Sequence, residues 1–271
     1  MPDDAAACHD LVQVYPSDAG AVPALRGIDA RFPIGSITVV AGASGAGTSS
    51  LLRLLAGLEG PTAGEVWIAG RRTAQLGQRA RRRLAAQHVA YVFQRPRDNL
   101  VDYLTVAEHV ALGARMRTGR VVAHVVAAGL DLFGLREVAG RRPNGLSAGE
   151  QQRLAFATAA AGDPALVVAD EPSAELDAPA TAGLLDVLHH EAARGRTFVL
   201  ATHDPVLVAA ADQRLLVSNG SLVASSRRGE NDAAVIDEGG RIRLPDDVLS
   251  LFPTRRASIE RDGTGVRIDP R

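Results

Sequence analysis

Residues 42–49 read Gly42-Ala43-Ser44-Gly45-Ala46-Gly47-Thr48-Ser49, and this stretch decides the fold. The apolar run Ile37–Ala41 precedes it, and the leucine-rich segment Ser50–Leu58 follows it. A glycine-rich turn between a strand and a helix presents backbone N–H groups and a helix N-terminus to phosphate oxygens, and larger side chains would obstruct that approach. On its own, the turn also fits a simple strand-to-helix connection. A phosphate site therefore needs a second signal elsewhere in the chain.

If the turn is a phosphate loop, its backbone and the first residues of the following helix hold the nucleotide. The Ser49 hydroxyl then stands at the position that binds Mg²⁺ in such loops. The candidate nucleotide-binding residues of this segment are Gly42, Ser44, Gly45, Ala46, Gly47, Thr48, Ser49 and Ser50.

A second apolar run, Leu166–Ala169, ends in two carboxylates, Asp170 and Glu171. In a doubly wound sheet this end of a strand lies beside the phosphate loop. Asp170 is the candidate for holding Mg²⁺, and Glu171 is the candidate for orienting or deprotonating an attacking water. A lone Asp-Glu pair after a strand is usually a solvated loop. In register with a phosphate loop, it indicates a nucleotide-hydrolysing site.

Between these two segments, residues 146–153 read Leu-Ser-Ala-Gly-Glu-Gln-Gln-Arg and resemble the signature of ATP-binding cassette (ABC) proteins, normally Leu-Ser-Gly-Gly-Gln. Other segments resemble the remaining motifs of that family, in the family's order and at plausible spacings over residues 11–223. They are the aromatic loop at Val14–Pro16, the Q-loop at Tyr91–Gln94, the D-loop at Ser173–Asp177 and the switch histidine segment at Ala201–Asp204.

The resemblance implies a role for each matching residue. Tyr15 stacks on adenine, although it also fits a plain strand aromatic. Gln94 contacts Mg²⁺ and the attacking water, and His203 contacts the γ-phosphate; each alone also fits a structural residue. The family works as a head-to-tail dimer that encloses two ATP molecules. The signature residues Ser147, Gly149 and Glu150 are therefore expected to reach the nucleotide of a partner subunit.

The resemblance implies an α/β fold, namely a P-loop NTPase of ABC type with an antiparallel β subdomain, a central mostly parallel sheet and a helical insert. Helix-type periodicity puts the insert at about residues 95–161 within a nucleotide-binding domain of residues 1–224. A polar linker is predicted at residues 225–232, followed by a small appendage at 233–271.

The appendage alternates like short strands around a helix and loosely resembles swapped-hairpin domains of the AbrB type; a disordered tail is the alternative. Residues 227–271 carry nine arginines and nine acidic residues, so a basic DNA footprint is absent and no nucleic-acid partner is expected. Dimer support or regulation is the favoured role for this segment.

The chain of 271 residues is 46% hydrophobic and has a formal net charge of −1, as in an ordinary globular protein. Its start is acidic, and it has no apolar run of about 18 to 20 residues, so we expect a cytoplasmic protein. Residues 93–110 resemble the branch that serves lipoprotein-release, macrolide-export and cell-division permeases. The expected partners are a membrane permease, which chooses the cargo, and a second ABC subunit in a homodimer or heterodimer. The protein would then lie peripherally on the inner face of the membrane.

One position departs strongly from the family. Thr48 occupies the place of the phosphate-loop lysine, and all 30 basic Lys+Arg residues of the chain are arginine. A drift from lysine to arginine would have kept the cation. Losing such a contact lowers phosphoryl-transfer rates by about 10²-fold or more. Arg53, five residues on, is predicted to point away from the mouth of the loop.

Two milder departures are Ala148 and Glu150, where the family has glycine and glutamine. The residues Asp170, Glu171 and His203, which the resemblance assigns to hydrolysis, are nevertheless retained. An ATP-hydrolysing motor subunit is therefore the leading hypothesis, and a hydrolysis-deficient half of an asymmetric dimer is the runner-up. A soluble ABC protein of translation or DNA repair would need tandem cassettes or a long coiled-coil insert, and neither is present.

Overall fold

The computed structural model describes residues 4–18, 20–121, 123–230, 233–235, 242, 246–254, 257–262 and 265–270. The strands are β1 Asp4–Ser17, β2 Gly20–Pro33, β3 Ile37–Ala41, β4 Ala63–Ile68, β5 Arg71–Arg72, β6 Val89–Val92, β7 Leu166–Asp170, β8 Thr197–Ala201, β9 Gln213–Ser218, β10 Ser221–Arg227, β11 Ala233–Ala234, β12 Ala257–Asp262 and β13 Gly265–Pro270. The α-helices are α1 Thr48–Leu55, α2 Gln78–His88, α3 Val106–Thr118, α4 Ala123–Leu132, α5 Ala148–Ala160, α6 Ala178–Ala193, α7 Pro205–Ala210 and α8 Asp246–Leu249.

The central sheet has the order β11-β10-β9-β3-β8-β7-β6. Strands β9, β3, β8, β7 and β6 run parallel, and β10 and β11 close one edge in antiparallel pairing. Strands β3, β7 and β8 are buried almost throughout, which explains their largely apolar sequences. The C-terminal ends of these three strands meet at one edge of the sheet.

A second, antiparallel sheet has the order β2-β1-β4-β5. Helix α1 contacts β1, β2 and β4 of this sheet as well as β7 and β8 of the central sheet, so it lies between the two. Its four buried leucines, Leu51, Leu52, Leu54 and Leu55, form the centre of that core. The predicted fold class, with an antiparallel subdomain and a mostly parallel central sheet, is confirmed.

Helices α3, α4 and α5 and three short 3₁₀ turns follow β6 and precede β7. Arg117 on α3 ties this helical segment to the sheet. Its guanidinium donates to the carbonyls of Ala159 and Ala161 at the end of α5 and to the carbonyl of Val89 at the start of β6. Burial lowers the pKa of Arg117 to about 10.

The C-terminal part begins within the central sheet. Strand β10 extends to Arg227, three residues into the segment predicted as a linker, and β11 pairs with it. Further on, α8 and the β12–β13 hairpin are described, while most of residues 236–245 of the predicted appendage lie outside the described residues. The AbrB resemblance remains a prediction. Within the described ranges, no helix is both long and apolar enough to span a membrane.

Candidate functional site

The glycine-rich loop connects β3 to α1 as its sequence predicts. Gly47, immediately before the helix, has φ +106°, and a Cβ there would lie 2.4 Å from the carbonyl oxygen of Ala24. Only glycine fits this position, because both the conformation and the close backbone approach exclude a side chain. Ser44 and Gly45 are exposed at the tip of the loop. The loop therefore offers an open concave backbone of the kind that binds phosphate groups.

Thr48 begins helix α1, and its side chain folds back against the start of the loop. A Cβ built on Gly42 would lie 3.2 Å from the methyl carbon of Thr48. The next residue, Ser49, is exposed, and Ser50 is partly exposed. The hydroxyl predicted to bind Mg²⁺ is thus accessible, whereas the residue in the lysine position supplies no charge.

Asp170 and Glu171 lie at the same edge of the sheet as the loop. Asp170 of β7 pairs with Ala201 of β8, and Ala201 pairs with Val40 of β3, two residues before the loop. The backbone turns sharply at Glu171, which has φ +43° and whose N–H donates to the Ala201 carbonyl at 2.8 Å. The structure therefore brings the predicted carboxylates to the strand ends that carry the loop.

Both carboxylate oxygens of Glu171 have partners from the segment after β8. His203 Nδ1 lies 2.9 Å from Oε1, and the Thr202 hydroxyl donates to Oε2 at 3.1 Å. The hydrogen bond with Glu171 and its negative charge raise the pKa of His203. The His203 side chain is 85% exposed, so it faces the open side of the site. The sequence named His203 as a candidate, but it did not reveal that Thr202 also holds Glu171.

Gln94 is exposed just after β6, in a loop that Asn99 holds in place. The Asn99 side chain accepts from the N–H of Phe93 at 2.8 Å and donates to the carbonyls of Phe93 and Arg95 at 3.0 and 3.1 Å. These bonds fix the backbone on both sides of Gln94. Asn99 was not singled out from the sequence, because a loop asparagine gives no motif signal.

Arg53, predicted to point away from the mouth of the loop, pairs with Glu59, with 3.5 Å between Nη1 and Oε1. Arg53 and Asp170 both lie close enough to the Tyr91 hydroxyl to affect its pKa. Burial, followed by the charge of Asp170, raises the pKa of Tyr91 to about 12. Arg53 shares a helix face with Ser49, four residues earlier.

Tyr15, the predicted adenine-stacking residue, contacts the same glutamate as Arg53. Its hydroxyl donates to Oε2 of Glu59 at 2.6 Å. Burial and this hydrogen bond raise the pKa of Tyr15. Glu59 therefore contacts both Tyr15 and Arg53, and neither contact was visible in the sequence pattern.

The signature residues form the N-terminus of α5. Ser147 and Glu150 make a capping box, in which the Glu150 carboxylate accepts from the Ser147 N–H at 2.7 Å and the Ser147 hydroxyl accepts from the Glu150 N–H at 3.2 Å. These bonds lower the pKa of Glu150. Ser147 is exposed and Gly149 partly exposed, on a helix that packs against α3, α4 and β6. The signature thus belongs to the helical segment, whereas the loop begins α1.

The arrangement fits a magnesium nucleotide. The loop supplies a backbone cradle that a side chain at Gly47 would fill, and the predicted metal ligands Ser49, Asp170 and Gln94 carry oxygen atoms of the kind that Mg²⁺ prefers. Among the described residues, no group of three or more His, Cys, Asp or Glu side chains forms a separate metal cluster.

Comparison with known proteins identifies the class. The family model for ABC transporters matches residues 25–174. The lipoprotein-releasing system ATP-binding protein LolD of Psychrobacter arcticus is 34% identical over 217 residues, which cover 78% of this chain and 94% of that protein. The dimeric cassette MJ0796, solved in a post-hydrolysis state with ADP and Pi, aligns with a TM-score of 0.77 and 25% identity over 83% of this chain and 100% of its own.

The macrolide export ATP-binding/permease protein MacB 1/2 of Paracoccus denitrificans is 35% identical over 79% of this chain. This chain spans about a third, 32%, of that longer relative. The chain belongs to the ATP-binding subunits of ABC transporters. Within them it falls in the branch that includes the lipoprotein-releasing and macrolide-export proteins.

Proposed function

We propose that this chain binds Mg-ATP at a dimer interface and hydrolyses it to drive a separate membrane permease. The observation that carries the proposal is the contact of Glu171 with His203 and Thr202 at the edge of the sheet that carries the phosphate loop. A site that had lost its activity would not be expected to keep both carboxylate oxygens of the proposed general base in hydrogen bonds. The relatives' names support an export-type or mechanical role.

Each residue has a part in this function. The loop backbone and Ser50 hold the phosphates, and Tyr15 stacks on the adenine. Ser49, Asp170 and Gln94 hold Mg²⁺, which supplies charge neutralisation at the phosphates when bound. Glu171 accepts the proton of the attacking water, since each carboxylate oxygen has a second lone pair beyond the bond that already orients it.

His203 is assigned to the γ-phosphate; its Nδ1 is engaged by Glu171, and the largely exposed ring leaves its other nitrogen available in support of this role. Protonated, the ring would bring positive charge to a site that lacks the loop lysine. The exposed N-terminus of α5 would complete the neighbouring site through Ser147, Gly149 and Glu150 of this chain. The predicted place of the protein is on the inner face of the membrane, through the permease.

Thr48 limits this function. A lysine in its place would neutralise phosphate oxygens in the ground state and as charge develops during transfer. We therefore propose slow hydrolysis rather than none. The alternative function is a pseudo-ATPase half of an asymmetric dimer, and Thr48 is the observation that favours it.

The test is steady-state ATP turnover by the purified chain, alone and assembled with its permease, beside a Thr48→Lys variant. The proposal expects measurable phosphate release that rises by about tenfold or more in Thr48→Lys. Absence of turnover in both proteins, with and without the permease, would support the pseudo-ATPase instead.

A further inference from the structure

The charge balance of the phosphate site leads to one residue outside the family motifs. The loop carries no cation at position 48, and the nearby acidic groups Asp170, Glu171 and Glu59 add negative charge. A bound nucleoside triphosphate would add further negative charge. Positive charge close to the phosphates is needed for binding and for transfer.

Arg53 is the only basic residue of α1 and lies on the same helix face as Ser49. Residues four apart on a helix have Cβ atoms about 5–6 Å apart. Long helical side chains also point back toward the helix N-terminus, which here is the end that carries the phosphate loop. A guanidinium on this stem therefore extends in the direction of Ser49.

Tyr91 links Arg53 to the site. Tyr91 of β6 pairs with Val168 of β7, so Tyr91 shares a face with Asp170, two residues after Val168. Arg53 and Asp170 both lie close enough to the Tyr91 hydroxyl to affect its pKa. The guanidinium of Arg53 is therefore near the carboxylate proposed to hold Mg²⁺.

The present partner of Arg53 does not hold it tightly. Its Nη1 is 3.5 Å from Oε1 of Glu59, and the arginine side chain is 52% exposed. Such an exposed, long ion pair contributes little free energy. Glu59 has a second partner at a shorter distance, since the Tyr15 hydroxyl donates to its other oxygen at 2.6 Å.

We propose that Arg53 supplies the positive charge that Thr48 does not, by turning from Glu59 toward the phosphates of the nucleotide bound at the loop. This inference rests on the proposed function, because it assumes that the loop binds Mg-ATP. It assigns Arg53 to the binding of the phosphate groups. A guanidinium is suited to this, because it stays charged and can donate two hydrogen bonds to one phosphate.

A double-mutant cycle tests the proposal through binding alone. Calorimetry measures the Kd of Mg-ATP for the wild-type chain, Arg53→Gln, Thr48→Lys and the double variant, and thermal unfolding checks that each is folded. Arg53→Gln is expected to weaken binding about ten- to a hundredfold beside Thr48, the usual effect of a hydrogen bond to a charged group. Beside Lys at position 48, it is expected to weaken binding by only about twofold, because the lysine then supplies the same charge and the effects of the two substitutions are not additive.

Glu59→Gln is the matched control. If the Arg53–Glu59 pair is only structural, removing either partner weakens ATP binding alike; the proposal expects Glu59→Gln to bind at least as tightly as the wild type. Equal weakening by Arg53→Gln in both backgrounds would overturn the role of Arg53 and leave the proposed function intact. Failure of every variant, Thr48→Lys included, to bind Mg-ATP would overturn the proposed function and this inference with it.

Discussion

Nδ1 of His203 lies 2.9 Å from Oε1 of Glu171, although 32 positions separate the two residues in sequence. Adjacent parallel strands, β7 and β8, bring them together, because each residue follows the C-terminal end of its strand. This contact joins the proposed general base to the residue proposed to sense the γ-phosphate.

The first prediction concerns the protonation of His203. Glu171 raises the pKa of His203 above its ordinary value of 6.5, so the pair's attraction is fully present below pH 6.5 and is lost as pH rises through the raised pKa. Glu171→Gln should lower the pKa of His203 toward 6.5. NMR titration of the imidazole C–H signals measures it, with His203→Gln to assign the resonance. An unchanged pKa in Glu171→Gln would show that the contact is absent in solution.

The second prediction concerns nucleotide affinity. The backbone cradle and Ser49 persist, but the Thr48 side chain brings no charge, so Mg-ATP should bind weakly, with a Kd of about micromolar or weaker. Thr48→Lys should tighten binding by about tenfold or more, because it restores a charged hydrogen bond to the phosphates. Calorimetric titration measures both proteins, with Thr48→Ser as a neutral control. Equal affinity of wild type and Thr48→Lys would contradict the role assigned to position 48.

The third prediction concerns Gly220, in the turn between β9 and β10. Its N–H donates to the carbonyl of Ala46 in the phosphate loop at 2.9 Å, and a Cβ there would lie 2.6 Å from the Ala24 carbonyl oxygen. Gly220→Ala should push the turn off the loop and weaken ATP binding as well as lower the free energy of unfolding. Its control is Gly119→Ala, because Gly119 has nearly the same φ, +79° against +78°, but nothing within 4 Å of an added Cβ.

Gly119→Ala should therefore cost only the backbone strain, about 1–2 kcal/mol of unfolding free energy. ATP titration and urea denaturation of both variants separate the two effects. If Gly220→Ala and Gly119→Ala behaved alike in ATP binding, the turn would not position the loop.

The fourth prediction concerns Arg117, which donates to three carbonyls at the junction of α3, α5 and β6. Arg117→Met fills similar space but leaves those carbonyls without this partner, so it should lower the unfolding free energy by about 2–4 kcal/mol. Urea denaturation measures the loss, and Arg115→Met, at an exposed position of the same helix, is the control. A similar small change in the unfolding free energy of both variants would show that Arg117 does not stabilise this junction.

The sequence predicted the parts of the fold whose local pattern agrees with their burial. The strand at Ile37–Ala41 was predicted with its observed bounds, because it is almost entirely apolar and is buried except at Ala41. Strand β2 was missed. Its two prolines and two glycines are typical of turns, and it is extended because it pairs with β1 through several register shifts.

The sequence predicted the motif residues of the candidate site but not the contacts that surround them. Motif residues such as Glu171 and His203 lie at the strand ends that their sequence context indicates. Glu59 and Asn99 carry no motif, and Thr202 lies in the switch segment without an assigned role; their contacts depend on tertiary packing. The pairing of Arg53 with Glu59 was likewise not visible, because it depends on how the chain returns after α1.

Phosphate release after Glu171→Gln, measured in the chain assembled with its permease, tests the central claim most directly. The amide keeps the shape of the carboxylate but cannot accept the proton of the attacking water, so turnover should fall by about 10²-fold or more while ATP binding persists. Thr48→Lys in the same assembly is the matched variant that should raise turnover. Turnover that survives Glu171→Gln in this chain would contradict the account and show that hydrolysis belongs to a partner subunit.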